Sequence, residues 1–147
     1  MPSSSARTGR LTVTPAEIAQ QIARFGNAQE RDDACGILAN AGGEVVQPLI
    51  EALDQPAAQF QTRAWAAKTL GSVGAAASAS VPHLVAALGS DAHDGIRKHA
   101  AIALGKLGPS SEHREEAMAA LLEAAGDPNP TIRRKVAAAL ELFEDEQ

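Results

Sequence analysis

The sequence is poor in aromatic residues and has no long apolar run. Phenylalanine, tryptophan and tyrosine make up 3% of its 147 residues, and tyrosine does not occur. Strands favour aromatic and β-branched runs, so this scarcity argues against a β-sheet fold. No apolar stretch approaches the roughly 20 residues of a membrane-spanning helix, so we expect no membrane insertion. Hydrophobic residues still make up 45% of the chain, and the abundance of alanine among them predicts closely packed helices.

Cysteine and positive charge are also scarce. The one cysteine, Cys35, excludes an internal disulfide, and we take the reducing cytoplasm as the default compartment. Its place beside the core position Ala34 favours a buried or half-buried thiol over a nucleophile, because no histidine lies near it in sequence. The formal net charge of −5 argues against a general nucleic-acid binder.

Motifs for catalysis, metal binding and phosphate binding are missing from the sequence. No two histidines are three or four residues apart, the spacing that would form a zinc site on one helix. The histidines are His83, His93, His99 and His113. Neither a Walker loop nor a GxGxxG motif occurs. Asp91, His93 and Asp94 lie together, and turn and capping chemistry explains them. We therefore predict a protein without catalytic residues, metal or cofactor.

What the sequence does contain is a repeated segment that starts at an arginine. The copies are RDDACGILANAG from Arg31, RAWAAKTLGSVG from Arg63, RKHAAIALGKLG from Arg97 and RRKVAAALELF from Arg133. Successive starts are 32, 34 and 36 residues apart. Apolar residues recur three, seven and ten positions after each arginine, which is one face of a helix. They are Ala34, Ala66, Ala100 and Val136, then Leu38, Leu70, Leu104 and Leu140, then Ala41, Val73, Leu107 and Phe143.

A second helical pattern follows each of the first three arginine segments. Gly42, Gly74 and Gly108 close those segments, at the place where a helix end favours a left-handed residue. The following stretches are VVQPLIEAL, VPHLVAAL and AMAALLEAA. Their apolar faces are Val46, Leu49, Ile50 and Leu53, then Val81, Leu84, Val85 and Leu88, then Met118, Leu121, Leu122 and Ala125. Each unit is therefore an arginine helix followed by a second helix.

The two ends of the repeated region carry their own signals. Thr14 with Glu17 forms a capping box before an N-terminal capping helix whose apolar face is Ile18, Ile22 and Phe25. At the other end, Asn129 or Thr131 is placed to cap the last arginine helix, with Pro130 in its first turn. The last unit has no second helix, so we expect Leu140 and Phe143 to be half covered, in a monomer or a weak homodimer.

These signals define one domain. Residues 1–12 are small and polar, lack the apolar stretch of a signal peptide, and are interpreted as a disordered tail. Residues 13–143 form the repeat domain, with units at about 28–56, 57–91, 92–128 and 129–143. Residues 144–147 form an acidic tail.

The stretch DPNPTIRRKVAAAL resembles the HEAT-type repeat, whose bacterial form is often labelled the phycobilisome-lyase HEAT-like repeat. The matching positions are Asp127, Arg133, Val136 and Leu140, then Asp91, Arg97, Ala100 and Leu104, then Arg63, Ala66 and Leu70. The resemblance covers roughly residues 28–143 and is weakest in the first unit, where Gly36 lies inside the helix.

The resemblance implies an all-α fold, a right-handed α-solenoid of about three and a half helical hairpins with an N-terminal capping helix. It also implies bonds between the turn aspartate of one unit and the helix arginine of its neighbour. HEAT-type di-iron hydroxylases use His-Glu dipeptides, and this chain has none. The family label further implies an alternative function, a bilin lyase-like subunit or chaperone for phycobiliproteins.

We expect a non-enzymatic module or scaffold that binds a partner protein on the solenoid surface. Curvature would make a groove from the second helices, where the candidate contacts are Gln47, Glu51, His83 and Glu123. Trp65 and His99 share a flank of the arginine helices, about 100° from the core stripe. Trp65 there either anchors a partner or packs between units. The other alternative is nucleic-acid binding by a basic stripe, comprising Lys68, Arg97, Lys98, Arg133, Arg134 and Lys135, if it is more than a solvated face.

Overall fold

The computed structural model describes residues 13–90 and 93–145 of the chain, and this part is helical. The expected tail at residues 1–12, the turn aspartate Asp91 and the last two residues lie outside the described residues. The helices are α1 (Pro15–Ala23), α2 (Arg31–Ala39), α3 (Val46–Asp54), α4 (Phe60–Val73), α5 (Val81–Ser90), α6 (Asp94–Leu107), α7 (Arg114–Ala124) and α8 (Pro130–Asp145). Short 3₁₀ turns cover Arg24–Gly26, Gly43–Val45 and Ala75–Ser80.

The helices form two layers, as expected of an α-solenoid. The arginine helices α2, α4, α6 and α8 stack in that order and form one layer, which we call the arginine layer. The second helices α3, α5 and α7 form the other layer, and α1 precedes them as the predicted capping helix. Helices α4, α6 and α8 each pack against the second helix that precedes them, and α2 packs against α1, so one core runs between the layers. The prediction of an all-α solenoid is confirmed.

The core follows the repeated columns with few exceptions. The first column is fully buried in all four units, whereas Leu140 and Val73 in the other columns are only partly buried. The main error lies in α7, where Leu122 was expected in the core and is 59% exposed. This helix buries Leu121, as predicted, together with Ala117, which leaves Leu122 about 100° away from Leu121 on the helix.

The predicted helix caps are present. The Thr14 backbone N–H donates to Glu17 Oε1 at 2.9 Å, and the Glu17 backbone N–H donates to Thr14 Oγ1 at 3.1 Å. At the start of α8, Asn129 Oδ1 accepts from the Thr131 backbone N–H at 2.8 Å. Asn129, rather than Thr131, is therefore the cap of the last helix.

The glycines that close the arginine segments serve two different purposes. Gly42 and Gly74 have φ angles of 99° and 88°, which L side chains rarely adopt. Gly108, by contrast, has an ordinary helical φ of −62°, so the expectation of a left-handed residue there is wrong. A Cβ at Gly108 would lie 2.5 Å from Phe143 Cζ, so steric space explains this glycine.

Phe143 is fully buried, and the expectation that it is half covered is wrong. Its ring packs against Gly108, and the Arg114 guanidinium lies 5.3 Å from its centroid. Arg114 also donates a hydrogen bond to the Phe143 carbonyl at 3.0 Å. Phe143 therefore belongs to the core that joins α7 to α8, which removes it as a basis for self-association.

Close helix–helix contact within the arginine layer depends on two further glycines. A Cβ at Gly71 of α4 would lie 3.0 Å from Ala103 Cα and Cβ of α6. A Cβ at Gly105 of α6 would lie 2.8 Å from Ala139 Cβ of α8. Both glycines occupy the same position of the repeat, eight residues after the arginine. The arginine helices therefore stack backbone to backbone, through a small residue on each side.

The aspartate–arginine pair implied by the family resemblance occurs between the last two units. Arg97 of α6 donates to both carboxylate oxygens of Asp127, at 3.0 and 3.3 Å, and to Asp94 at 2.7 Å. The Asp127 side chain is only 8% exposed. Partial burial by itself would raise the pKa of Asp127, but hydrogen bonds from Arg97 and from the Asn129 backbone outweigh it and hold the pKa below its usual value. The hydrogen bond to Asp127 raises the pKa of Arg97 in turn.

Arg63 and Arg133 of the same column also bond to backbone carbonyls. Arg63 donates to the Leu53 carbonyl at 2.8 Å, and Arg133 donates to the Asp127 and Pro128 carbonyls at 2.7 and 3.2 Å. These two arginines hold the turn that precedes their own helix.

The close stacking of α6 on α8 predicts opposite effects for one substitution at two helical glycines. Gly105→Ala should lower the free energy of unfolding by about 1–3 kcal/mol, since the added methyl group overlaps Ala139. Gly36→Ala should raise it by about 0.5–1 kcal/mol, since nothing lies within 4 Å and alanine favours the helix. Urea denaturation measures both, and a shift of the same sign at the two sites would contradict the stacking described here.

Asp127→Asn should destabilise the protein by about 1.5–3 kcal/mol, because it removes the acceptor charge of a hydrogen bond to a charged donor. Folding lowers the pKa of Asp127, so this contribution is present above the ordinary aspartate pKa of about 3.9 and is lost on acidification below it. Glu123→Gln, an equal change at an exposed carboxylate, serves as the control. Equal unfolding midpoints for the two variants in urea at neutral pH would refute a stabilising role for the pair.

Candidate functional site

Trp65 lies at the centre of a cluster that joins three consecutive arginine helices. The Arg31 guanidinium of α2 is 5.5 Å from the centroid of its ring, and the Lys68 ammonium of α4 is 5.2 Å away. The His99 ring of α6 lies 6.1 Å away at an angle of 54°, and the Phe25 ring lies 6.4 Å away. Both cations are within the range of favourable cation–π contact. Trp65 thus packs between units while remaining partly exposed.

The cations around Trp65 are not neutralised by carboxylates. Among the described residues, Arg31, Lys68, Lys98 and Lys135 form no ion pair. Arg31 Nε and His99 Nδ1 are buried without a hydrogen-bond partner. Native proteins satisfy most buried polar atoms, so two such atoms in one cluster are unusual. We call the set Arg31, Trp65, Lys68, Lys98, His99 and Lys135 the Trp65 patch.

The positive charge of the patch acts on His99. Burial lowers the pKa of His99 from its ordinary 6.5 to about 4, with further lowering by the charges of Lys98, Lys68 and Lys135. His99 is therefore neutral at physiological pH, and the positive charge of the patch comes from lysine and arginine alone. His99 and Lys135, which come from neighbouring units of the repeat, are thus brought within electrostatic reach of each other.

The six residues expected to form a basic stripe do not share one role. Arg97 is 13% exposed and bonded to Asp127 and Asp94, so its charge is compensated. Arg133 donates to backbone carbonyls, and Arg134 is exposed with its guanidinium 3.3 Å from Thr131 Oγ1. The remaining three, which are Lys68, Lys98 and Lys135, are the members that surround His99.

The candidate residues of the second helices do not come together. Glu123 lines a groove of about 530 Å³ between α5 and α7, and Glu51 lines a separate groove of about 480 Å³ between α1 and α3. Gln47 is exposed on α3 and lines neither of them. His83 Nδ1 lies 2.7 Å from Asp54 Oδ2 and links α5 to α3. The second helices thus offer two separate grooves rather than the single groove expected from curvature.

Sequence reasoning missed Arg31 as a member of the patch. The sequence identified Arg31 only as the start of the first repeat and not as a candidate contact residue. The spacing between each turn aspartate and the arginine that follows it shows that the turn at Asp54 differs from the turn at Asp127. Asp54 precedes Arg63 by nine residues, whereas Asp127 precedes Arg133 by six. In the structure Asp54 pairs with His83, and the Arg31 guanidinium lies over the indole of Trp65 instead.

Two features of the described residues bear on other functions. None of their helices combines the length and the apolarity needed to cross a bilayer. Their histidine, cysteine and carboxylate side chains form no group of three or more that could hold a metal ion.

The burial of His99 predicts a specific pH dependence of stability. Between pH about 6.5 and about 4 the unfolded chain binds a proton at His99 and the folded chain does not, so acidification over this range should lower the free energy of unfolding. His99→Gln should flatten the dependence, because glutamine does not titrate. Urea denaturation at several pH values tests this, with His83→Gln as the control at an exposed histidine. Equal pH dependence in wild type and His99→Gln would contradict the lowered pKa.

Comparison with known proteins supports the fold and the repeat. The mouse serine/threonine-protein kinase 36 is 43% identical to this chain over 86 residues, which is 55% of this chain and 6% of the kinase. The chain therefore matches only a small part of that relative. A structure of the complex of CpcE and CpcF of phycocyanin lyase from Nostoc sp. PCC7120 superposes with a TM-score of 0.80. It is 24% identical and covers 90% of this chain and 81% of that one.

Human deoxyhypusine hydroxylase, solved in complex with glycerol, also has a similar structure. The TM-score is 0.67 at 27% identity, over 92% of this chain and 46% of the hydroxylase. The family model for HEAT repeats matches residues 15–105 and again residues 81–147. These two matches together span nearly all of the described residues, and the chain therefore belongs to the HEAT-repeat family.

Proposed function

We propose that this protein is a non-enzymatic interaction module whose partner protein binds the arginine layer at the Trp65 patch. One observation carries the proposal: a partly exposed tryptophan lies between two cations that have no carboxylate partner among the described residues. Tryptophan and arginine are the residue types most enriched at the energetic centres of protein interfaces. Membership in the HEAT-repeat family supports a scaffold role.

The second helices are a weaker candidate surface. Their exposed carboxylates Glu51 and Glu123 lie in different grooves, and His83 is already bonded to Asp54. A partner that contacted all of these residues would have to bridge two separate depressions. The Trp65 patch is continuous across neighbouring helices, so one binding segment can contact all of it.

The patch also fits a protein partner better than the two alternatives. A nucleic-acid stripe along the arginine helices is interrupted, because Arg97 is neutralised and Arg133 is bonded to backbone carbonyls. For the bilin-lyase alternative, the likeness to the phycocyanin lyase subunits is 24% in sequence and concerns the fold alone.

The absence of enzymatic activity is part of the proposal. Two of the histidines that a reaction could use are engaged in structural contacts. His83 pairs with Asp54, and the His113 ring lies 3.5 Å from Glu116. These contacts account for the two histidines without assigning them a reaction.

The proposal predicts selective loss of partner capture. Wild-type protein immobilised on beads would be incubated with nuclease-treated lysate of the source organism, beside Trp65→Ala and Glu51→Lys. We expect a protein partner that survives the nuclease, is lost by at least about tenfold with Trp65→Ala, and is retained with Glu51→Lys. Quantitative mass spectrometry of the eluates measures this.

Folding of each variant is checked first by circular dichroism and thermal denaturation, since Trp65 also packs between units. If the tryptophan-to-alanine change unfolds the chain, Trp65→Leu keeps the apolar volume and removes the aromatic ring. Capture lost with Glu51→Lys but kept with Trp65→Leu would move the binding surface to the second helices and overturn the proposal. Capture abolished by nuclease would replace the protein partner with nucleic acid.

A further inference from the structure

We infer that the Trp65 patch binds an extended acidic segment of a partner protein, whose carboxylates recur at about every third residue. This inference rests on the proposed function and adds the chemistry of the partner. It follows from the hydrogen-bonding state of the patch, its charge and the spacing of its cations.

The Arg31 guanidinium packs on an aromatic ring and forms no hydrogen bond within the described part of the chain. Its carbon lies 5.5 Å from the Trp65 centroid, and its Nε is buried without an acceptor. A guanidinium packed in this way leaves its terminal N–H groups available to donate hydrogen bonds to a ligand. The fork consists only of donors and matches the two oxygens of a carboxylate. The ligand must therefore bring acceptor oxygens.

The patch brings together positive charges that form no ion pair among the described residues. Every lysine of the protein lies on an arginine helix, at Lys68, Lys98, Lys106 and Lys135. Helices α1, α3 and α5 of the other layer carry no lysine or arginine. Three of the lysines act together on His99, and their repulsion is relieved when an anion binds among them. An acidic ligand therefore gains attraction from several sites at once.

The spacing of the cations sets the shape of the ligand. The patch takes one cation from each of α2, α4, α6 and α8, and packed helices are about 8–10 Å apart. An extended peptide advances about 3.3–3.6 Å per residue. Three residues therefore span one helix-to-helix step, so a segment of about ten residues with an acidic residue at every third position places one carboxylate near each helix.

Charges around the patch favour a protein segment over a nucleic acid. Asp32 and Asp33 are exposed at the start of α2, beside Arg31. A continuous phosphate backbone that ran on past Arg31 would meet these carboxylates. The chain as a whole carries a net charge of −5, which opposes binding of a long polyanion. A short segment that ends at Arg31 does not run on to Asp32 and Asp33, and its few carboxylates are repelled less by the net charge than a long polyanion.

Binding of defined probes to the full chain tests the inference. The probe is a fluorescein-labelled twelve-residue peptide with glutamate at every third position and serine or alanine between. Comparison probes are a peptide of the same composition with its glutamates grouped at one end, and a single-stranded oligonucleotide of equal charge. Fluorescence anisotropy at low and physiological ionic strength gives the affinities.

Two charge reversals of equal size locate the site. Lys135→Glu should weaken binding of the spaced peptide about tenfold, because Lys135 acts directly on the patch. Lys106→Glu is the matched control, since Lys106 lies two turns beyond His99 on α6 and lines a separate depression with Ala75 and Ser110. It should weaken binding by less than about twofold, the effect expected of a distant, screened charge. Circular dichroism confirms that both variants fold.

A spectroscopic signal reports contact with the patch itself. When the spaced peptide binds, its carboxylates should raise the pKa of His99 toward the ordinary value, as followed by the chemical shifts of the imidazole protons. Failure of that pKa to move while anisotropy rises would place the peptide elsewhere and overturn the inference. Equal losses for Lys106→Glu and Lys135→Glu, or tighter binding of the grouped peptide or the oligonucleotide, would also overturn it.

Failure of this inference and failure of the proposed function give different results. If no acidic peptide binds but capture of a cellular protein still depends on Trp65, the module binds at the patch through other chemistry. A different result is that the spaced peptide binds as described, but capture of a cellular protein is unchanged by Trp65→Ala and lost with Glu51→Lys. The patch then binds acidic peptides, and the proposed function of the patch is wrong.

Discussion

Contact between small residues of successive arginine helices is the constraint on which the structure depends. Gly71 against Ala103 and Gly105 against Ala139 bring three helices together at backbone distance. No larger residue fits at the two glycines without displacing the next helix. This short spacing brings Trp65 of α4 within reach of His99 of α6. The stacking contact and the Trp65 patch are therefore two consequences of the same spacing.

The repeated arginine shows how one residue type serves several structural purposes. Arg97 forms an ion pair with Asp127 in the turn before α8, Arg63 bonds to a carbonyl in the last turn of α3, and Arg133 bonds to carbonyls of the turn before α8. Arg31 packs on an indole ring. Each outcome follows from which acceptor the local turn offers within reach of the side chain. The deviation at Arg31 coincides with the one tryptophan of the chain and creates a surface that regular repeats would not have.

Most of the fold could be predicted from the sequence because its signals are local and repeated. Columns of apolar residues at helical spacing defined the helices, and Thr14 and Asn129 marked two helix starts. The errors arose where packing between distant segments decided the outcome. Leu122 and Met118 fit the helical period equally well, and the orientation of α7 against α8 decides which is exposed. Gly108 was predicted to be a left-handed residue at a helix end. Its glycine is explained instead by the ring of Phe143, which is distant in sequence and would clash with a side chain at this position.

The candidate site could be predicted only in part for a related reason. Trp65, His99 and three lysines were identified from their positions on the arginine helices. Their proximity depends on how neighbouring units are stacked, which no single helix specifies. Arg31 packs on Trp65, and Asp54, the aspartate at the end of α3, pairs with His83 of α5. Long-range pairing of this kind is only weakly indicated by the sequence. The indication here is that three more residues separate Asp54 from Arg63 than separate Asp127 from Arg133.

The confinement of the lysines to one layer has an electrical consequence for the whole molecule. The arginine layer carries all four lysines, although it also carries Asp32 and Asp33, whereas α1, α3 and α5 together carry carboxylates such as Glu51 and no lysine or arginine. This unequal distribution gives the molecule a permanent dipole moment across its thickness. The field of an approaching acidic partner exerts a torque on this dipole and turns the arginine layer toward the partner before the surfaces touch. Orientation during diffusion of this kind accelerates encounter and leaves the lifetime of the complex to the short-range contacts. Salt should therefore change how fast complexes form more than how long they last.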